Sequence, residues 1–447
     1  MGNLKTSFKK LKTSLRWILL IFGVLIVFVL LQFYFIRGPQ NTSKYKGYPR
    51  VAVQKKGGRY NLYKDGKVFS VKGGAGFTYT KELSECGGNT IMCWDTSKLA
   101  STLKEAAQNN VVVIIGLDIP ANDMAFYKDQ KNVIALDSAY INIVNRYKND
   151  PSVLAWCLGN ELDFPVSLFS TSFYKAYNHI LDHIHNIDPD HPVCTSLTNV
   201  PTIRSIIMIK WRIPSLDFYC LNIYNSIKTL PHLLDHISWV WKGPYLIGEW
   251  APIGDWEAPV TAWQAVLENT STEKAKRFHD FYTKYMPIND PRFLGSIVFY
   301  WGSMNLGTKS WYSIFDESGS GTEVEEVLND CWKDTTTIHT APQINYFLID
   351  GRSGKDNIIL GSGSTNTISL VSSPSSLSDT LRYSWQISGD WYGSEKPPAV
   401  NGLFNDSTRP EPSFKAPSKP GPYRVFVTIY NSRGHCAIVN IPIYVIK

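Results

Sequence analysis

Continuous apolar runs alternate with amphipathic stretches along the middle of the chain. The runs have few polar interruptions, as at Val111–Ile115 and Ile297–Trp301, and this is typical of parallel strands buried on both faces. We predict eight strands, at about 68–73, 90–94, 111–118, 153–160, 192–198, 216–224, 244–249 and 293–301. Helical periodicity separates them, for example at 97–110, 138–148, 167–186 and 272–286. The number and alternation of these elements predict an α/β fold, a (β/α)8 TIM barrel over residues 51–335.

An open, doubly wound sheet is the competing interpretation of the same alternation. Such a sheet usually has a glycine-rich phosphate loop after an early strand. The nearest stretch is Gly73–Gly76, which matches that fingerprint poorly. The pattern therefore favours the closed barrel.

A long apolar stretch precedes the barrel. Residues 17–36 contain no charge, and their length at 1.5 Å per residue spans a bilayer core of about 30 Å. Five cations within residues 1–16 predict a cytoplasmic tail by the positive-inside rule. A cleavable signal peptide is the alternative, but no Ala-x-Ala site follows Ile36. We expect an uncleaved transmembrane anchor and a linker over 37–50, which place the remaining chain outside the cytoplasm.

Strand signals flank the barrel on both sides. Between residues 51 and 71, short alternating runs surround Asp65-Gly66, a strong signal for a β-hairpin. After residue 335 the helical pattern ends, and residues 341–447 are rich in Ser, Gly and Pro. Short β-type runs such as Tyr423–Tyr430 predict an Ig-like β-sandwich there.

The net charge of +7 lies almost entirely ahead of the barrel. Six of the 45 lysines and arginines precede residue 38, in a stretch without acids, so 39 cations remain against 38 acids. A folded part this close to neutrality has no basic face, and nucleic-acid binding is not expected.

The chain lacks the usual signals for disulfides or metals. Its seven cysteines form no CxxC pair and show no zinc spacing, and several lie in apolar runs, where thiols act as small hydrophobes. His183 and His185 fall on a predicted helix, away from the strand ends, and are expected at the solvated surface. We expect no metal and no cofactor.

Two glutamates end predicted strands. Glu161 follows the apolar run 153–158 in Leu-Gly-Asn-Glu, and Glu249 ends the run 244–249 in Ile-Gly-Glu-Trp. These are the fourth and seventh strands, and barrel sites are built at carboxyl strand ends. Retaining glycoside hydrolysis needs two carboxyls about 5–5.5 Å apart, one as acid/base and one as nucleophile.

With these residues the chain resembles the glycoside hydrolases of clan A, particularly the TIM-barrel domains of family 2 and their family 5 relatives. The resemblance covers roughly residues 51–333. It implies that Glu161 is the acid/base, Glu249 the nucleophile, and Asn160 a partner of the sugar 2-hydroxyl. It also implies that Tyr224 hydrogen-bonds the nucleophile and that Trp301 forms a platform under the reacting sugar.

The second strand departs from the family pattern. Relatives commonly carry Asn-x-Ile-Arg-x-Trp, whereas this chain has Asn-Thr-Ile-Met-Cys-Trp over residues 89–94. Trp94 is retained and is expected to contact the substrate. Met92 replaces an arginine that helps to keep the nucleophile ionised, so the pKa of Glu249 should be raised.

Two functional hypotheses follow. The first is a membrane-anchored retaining β-glycosidase or transglycosidase that acts on an extracytoplasmic β-linked polysaccharide, expected to be a glucan. An aromatic content of 13% suits a sugar-binding cleft. The second, prompted by Met92, is a carbohydrate-binding or scaffold protein built on a catalytically decayed barrel.

Overall fold

The computed structural model describes residues 15–27, 50–120, 124–162, 164–167, 171–373, 380–390 and 397–447. A first helix, α1, covers residues 15–27. Among the described residues, no helix has both the length and the apolar character needed to cross a membrane. Residues 28–36 of the predicted anchor, 1–14 of the predicted tail and 37–49 of the predicted linker lie outside the described residues.

A small antiparallel sheet closes the end of the barrel at which its strands begin. Its three strands are β1 (Val51–Lys56), β2 (Arg59–Lys64) and β3 (Lys67–Phe69). The predicted hairpin at Asp65-Gly66 is confirmed, since both residues have positive φ, and Gly57-Gly58 forms a second turn of the same kind. Val51, Val53 and Leu62 belong to the apolar cluster inside the barrel, so this sheet acts as a plug.

The next eight strands form a closed parallel barrel. They are β4 (Val71–Ala75), β5 (Thr90–Cys93), β6 (Val112–Leu117), β7 (Val153–Leu158), β8 (Val193–Thr198), β9 (Phe218–Asn222), β10 (Tyr245–Glu249) and β11 (Phe293–Val298). The last strand returns to the first, with Gly295 opposite Val71 and Val298 opposite Gly74. This closure confirms the predicted barrel and excludes the open doubly wound sheet.

Helices surround the barrel between the strands. They are α2 (Thr80–Glu85), α3 (Leu99–Gln108), α4 (Gln130–Tyr147), α5 (Thr171–Ile187), α6 (Ile203–Arg212), α7 (Leu230–His236), α8 (Ser271–Tyr285) and α9 (Glu323–Lys333). One apolar cluster fills the space between strands and helices, and a second fills the barrel interior. Every residue of β7 is therefore buried, as its continuous apolar sequence requires.

The C-terminal part consists of sheets that share one core. A short strand after the barrel, β12 (Gly321–Thr322), pairs with the last strand of this C-terminal part. The other strands are β13 (Gln343–Ile349), β14 (Ile359–Gly361), β15 (Thr365–Asn366), β16 (Ile368–Ser373), β17 (Arg382–Gly389), β18 (Phe414–Lys415), β19 (Gly421–Tyr430) and β20 (His435–Ile446). The predicted strands after residue 341 are present. In these sheets β14 pairs parallel with β20, and β17, β19 and β20 form an antiparallel set. The Ig-like topology stays a prediction.

Buried polar groups join the C-terminal sheets to the barrel. Arg424 on β19 pairs with Asp390 at 2.9 Å and donates to Asn440 Oδ1 at 2.6 Å. Asn440 on β20 donates in turn to Glu268 Oε2 at 2.6 Å, and Lys274 of α8 pairs with the same carboxylate. Because these groups are buried and mutually satisfied, the sheets are fixed against α8.

Candidate active site

The two predicted acids lie at the same end of the barrel. Glu249 is the last residue of β10, the seventh barrel strand, and Glu161 follows β7, the fourth, after Gly159 and Asn160. Carboxyl ends of parallel barrel strands open onto one face, so the two side chains converge on the same mouth. Their roles in catalysis stay predictions.

Glu249 is a buried acid, with 7% of its surface exposed. The Tyr224 hydroxyl donates a hydrogen bond to its Oε2 at 2.6 Å, so the contact that the family resemblance implies is present. Burial raises the pKa of Glu249 to about 8, and the negative charge of Glu161 adds to the rise. Hydrogen bonds from Tyr224 and Asn222 act in the opposite direction.

Glu161 is exposed and sits in a turn with unusual backbone geometry. Gly159 has φ 88° and Glu161 has φ 49°, both in the left-handed region. A Cβ on Gly159 would lie 2.3 Å from Leu162 Cδ1, so glycine is required there by both space and conformation. The left-handed backbone conformation is rare for residues other than glycine, and residues that adopt it concentrate at functional sites. The turn directs the Glu161 carboxylate to the barrel mouth.

Asn222 links the two glutamates and was missed in the sequence. Its Nδ2 donates to Glu161 Oε1 at 3.1 Å, and Asn222 lies opposite Glu249 on the neighbouring strand, where it helps to lower the pKa of that acid. Ser196 fixes the orientation of the amide by donating to Oδ1 at 2.9 Å. Gly248 leaves room for it, because a Cβ there would lie 2.6 Å from Oδ1. The one feature of the sequence that could have identified Asn222 is its position at the end of the sixth barrel strand.

Asn160 and Trp94 each present a buried polar atom without a partner among the described residues. These atoms are Asn160 Oδ1 and Trp94 Nε1. The Trp94 ring lies against Gly116, where a Cβ would come within 2.1 Å of it, so the strand leaves a recess for the indole. Buried polar groups are normally hydrogen-bonded, so both atoms suit a ligand hydroxyl. The predicted substrate contacts of these two residues stay predictions.

Met92 lies inside the barrel with 2% of its surface exposed and brings no charge to the site. Among the described residues, the groups with the largest influence on the pKa of Glu249 include no cation. Burial is therefore the largest cause of the raised pKa, and the charge of Glu161 adds to it.

Trp301 does not reach the barrel mouth, which corrects the prediction of a sugar platform. Its side chain is fully buried, and its Nε1 donates to the Tyr79 carbonyl at 3.0 Å. The ring packs on Phe315 and on Trp332 of α9, on the helix side of the barrel. A ring enclosed in this way has no free face for a sugar.

Phe299 takes the inward position at the end of β11 instead. Its ring centroid lies 6.4 Å from that of Tyr224 and 5.2 Å from that of Tyr312, both edge to face. It also packs against the apolar cluster in the barrel interior. The strand-end pattern predicted an aromatic residue here, but the loop after β11 determines which aromatic residue faces inward.

Trp256 adds an exposed aromatic ring to the rim. It lies in the short 3-10 turn Asp255–Glu257 that follows β10, and 66% of its surface is exposed. The ring contacts Tyr224 edge to face, with centroids 5.1 Å apart. An exposed indole beside the buried acid offers a stacking surface for a sugar ring.

Two clusters among the described residues have the donor atoms of a metal site. One is formed by the buried thiols of Cys157, Cys194 and Cys220 inside the barrel. The other joins Asp137 of α4 to His179 and His183 of α5, a grouping that the spacing of these residues in the sequence does not indicate. Neither cluster contains Glu161 or Glu249.

No model of a known protein family matches the chain. Among curated proteins, the chain is similar to a β-glucuronidase of Paenibacillus borealis, with 25% identity over 157 residues. The match takes in 31% of this chain and 23% of that protein, so the chain spans less than a quarter of its relative's length.

Several solved structures resemble the fold at low sequence identity. The endo-β-1,4-mannanase of Thermotoga petrophila has 13% identity, a TM-score of 0.43, and coverage of 86% of this chain and 99% of that chain. β-Glucuronidase 3 of Bacteroides uniformis has 14% identity, a TM-score of 0.47, and coverage of 90% of this chain and 52% of that chain. The β-glucuronidase of Faecalibacterium prausnitzii has 17% identity, a TM-score of 0.48, and coverage of 64% of this chain and 52% of that chain. These similarities are remote, and a functional assignment therefore has to rest on the site itself.

Proposed function

We propose that this protein is a retaining β-glycosidase or transglycosidase, with Glu249 as nucleophile and Glu161 as acid/base. The observation that carries the proposal is the convergence of the two carboxyls, since Asn222 donates to Glu161 and lies opposite Glu249, and Tyr224 donates to Glu249. Two carboxyls on either side of one amide suit the separation of roughly 5–5.5 Å that a retaining pair needs.

The reaction proceeds in two displacements. A carboxylate oxygen of Glu249 attacks the anomeric carbon while the bond to the leaving oxygen breaks, and Glu161 gives that oxygen its proton. Water or a sugar hydroxyl then attacks the same carbon, loses its proton to Glu161 and releases Glu249. A hydroxyl donor on the substrate would satisfy the unpartnered Asn160 Oδ1.

Protonation of one carboxyl favours ionisation of the other. The charge of Glu161 raises the pKa of Glu249, so a proton on Glu161 lowers it again. The double-displacement mechanism requires the state with the proton on Glu161 and the charge on Glu249.

The substrate is proposed to be a β-linked polysaccharide, expected to be a glucan. The similarity to a β-glucuronidase supports a β-glycoside. The exposed ring of Trp256 supports a chain that extends past the reacting sugar.

The N-terminal segment is proposed to anchor this activity in a membrane, with the barrel on the extracytoplasmic side. Residues 17–36 are uncharged, and five cations precede them. Fractionation of cells that express the full chain tests this. The chain should remain in the membrane pellet after alkaline wash and leave it when residues 17–36 are deleted. Release of the full chain by the wash would contradict an anchor.

The catalytic proposal is tested with the full-length chain on aryl β-glucosides, aryl β-glucuronides and β-glucan oligomers. Glu249→Ala should abolish turnover. In Glu161→Ala, azide should restore turnover of an activated aryl glycoside and give a β-glycosyl azide, because azide needs no general base. An α-glycosyl azide, or turnover that survives Glu249→Ala, would contradict the assigned roles.

A non-catalytic carbohydrate-binding protein is the second candidate, and Met92 together with the raised pKa of Glu249 favours it. Equilibrium binding of the same oligomers separates the two functions. Saturable binding without turnover at any pH from about 5 to 10 would establish the binding protein instead.

A further inference from the structure

Two neighbouring helices on the outside of the barrel bring three metal-ligating side chains together. His179 and His183 lie on α5, and Asp137 lies on α4. The His183 Nδ1 is 3.1 and 3.0 Å from the two carboxylate oxygens of Asp137, and His179 Nε2 is 3.6 Å from Oδ2. One ligand atom from each of the three residues lies within 4.8 Å of the others.

The spacing of the histidines is the one that helices use to bind metals. Residues four apart lie one above the other on the same face, so His179 and His183 form a chelating pair. Around a tetrahedral Zn²⁺ with bonds of 2.0–2.2 Å, neighbouring ligand atoms are about 3.3 Å apart. The separations from the Asp137 oxygens to the histidine nitrogens bracket that value, so coordination requires only small side-chain movements.

Burial and charge point to a cation at the same place. Asp137 is 8% exposed, and among the described residues its ion-pair partners are these two histidines, without a lysine or arginine. A buried carboxylate is stabilised by a paired charge or a coordinated metal. The His179 and His183 side chains are 58% and 38% exposed, so an ion can enter from solvent and retain a water as its fourth ligand.

We propose that Asp137, His179 and His183 form a binding site for one divalent transition-metal ion of the zinc class, which fastens α4 to α5. Helix α4 leads into β7, and α5 follows the turn that presents Asn160 and Glu161. A metal at this site therefore braces the two helices on either side of the strand that carries one half of the candidate active site. The site is independent of the proposed glycosidase activity, because metal binding can be measured without any substrate.

The test is a titration of the full-length, metal-stripped chain with Zn²⁺, followed by calorimetry and thermal unfolding. We expect one equivalent to bind and the unfolding midpoint to rise by a few degrees, since a ligand that binds the folded state stabilises it. Both effects should be lost in His179→Ala and in Asp137→Asn. His179 is the most exposed of the three, so its variant keeps the test valid if Asp137→Asn impairs folding.

A matched control is His185→Ala. His185 also lies on α5 but pairs with Asp217 at 3.1 Å, outside the cluster. This variant should still bind one equivalent of Zn²⁺. The proposal is overturned if the unaltered chain binds no Zn²⁺, or if binding persists unchanged in the double variant of His179 and His183.

Discussion

At the scale of single residues, the chemistry of the site depends on how Glu249 is held. It is buried, and among the described residues the largest influences on its pKa include no cation, so Tyr224 and Asn222 offset only part of the penalty for its charge. Glu161 is exposed at the same mouth. The environments of the two acids therefore differ, but the raised pKa belongs to the proposed nucleophile, the reverse of the usual arrangement, in which the general acid has the raised pKa.

The pH profile provides the first prediction. Glu249 must be ionised to attack, and its pKa is raised to about 8, so kcat/KM should increase with pH through about 8. Glu161→Gln removes a negative charge that raises this pKa, so the ascending limb should move to lower pH. An aryl substrate with an acidic leaving group makes the shift measurable, because it needs no proton from Glu161.

The exposed Glu257, changed to Gln, serves as the control and should leave the ascending limb of the pH profile unmoved. An unshifted limb in Glu161→Gln would contradict the coupling.

Trp256 provides the second prediction. Trp256→Ala should raise KM for a β-glucan oligomer by roughly 5- to 30-fold, the loss of one stacking contact of about 1–2 kcal/mol. An aryl monoglycoside should be affected less, since it does not extend past the reacting sugar. The unfolding midpoint should hardly change, because the side chain is 66% exposed. Trp239→Ala is the matched control, with 70% exposure in the segment before β10. Equal KM values for both variants would exclude the stacking role.

At the scale of elements, the turn after β7 departs from regular backbone geometry. The strand ends at Leu158, and left-handed residues at positions 159 and 161 turn the chain sharply. This turn connects β7 to the following segment and also aims a carboxylate at the barrel mouth. Its sequence, Gly-Asn-Glu, therefore reflects conformation as well as chemistry.

Gly159→Ala provides the third prediction. The substitution places a Cβ at φ 88° and within 2.3 Å of Leu162, so we expect a loss of unfolding free energy on the order of 1–3 kcal/mol. Activity should fall as well, because the turn that aims Glu161 is displaced. Gly351→Ala is the control: φ is 72°, but a Cβ there meets no atom within 4 Å. It should lose about 1 kcal/mol and keep full activity. Denaturant unfolding and initial rates measure both, and wild-type activity in Gly159→Ala would refute the role of the turn.

At the scale of the whole molecule, the C-terminal sheets and the barrel share a buried polar network. Burial alone raises the pKa of Glu268, but Lys274 and the surrounding hydrogen bonds lower it below its usual value. A lowered folded-state pKa contributes stability above the unfolded value of about 4.3 that is lost as pH falls through the folded value. The connection between the two parts should therefore weaken in acid.

Asn440→Ala provides the fourth prediction. Asn440 donates to Glu268 and accepts from Arg424, both at 2.6 Å, and it is 6% exposed. Its removal leaves two buried charged groups short of a partner, so we expect a loss of about 1–3 kcal/mol in unfolding free energy. Asn345→Ala, on the exposed side of β13, is the control and should change little. Equal unfolding midpoints for the two variants would show that the network does not stabilise the molecule.

The sequence by itself determined the barrel. Continuous apolar runs such as 153–158 need burial on both faces, and eight of them alternating with helices close into one cylinder. It also determined the positions of Glu161 and Glu249 at the mouth, because a strand's direction fixes which of its ends faces the pocket. These are local properties, carried by neighbouring residues.

Contacts between distant segments were decided only by the tertiary structure. Asn222 bridges two acids that lie 88 positions apart in the chain, at 161 and 249, and nothing in its own strand indicates either partner. Trp301 faces α9 rather than the mouth, because the loop after β11 sets its direction and no periodicity extends into a loop. Asp137 meets His179 and His183 only when α4 packs on α5. Strand and helix patterns specify elements, whereas the chemistry of a site depends on which side chains those elements bring together.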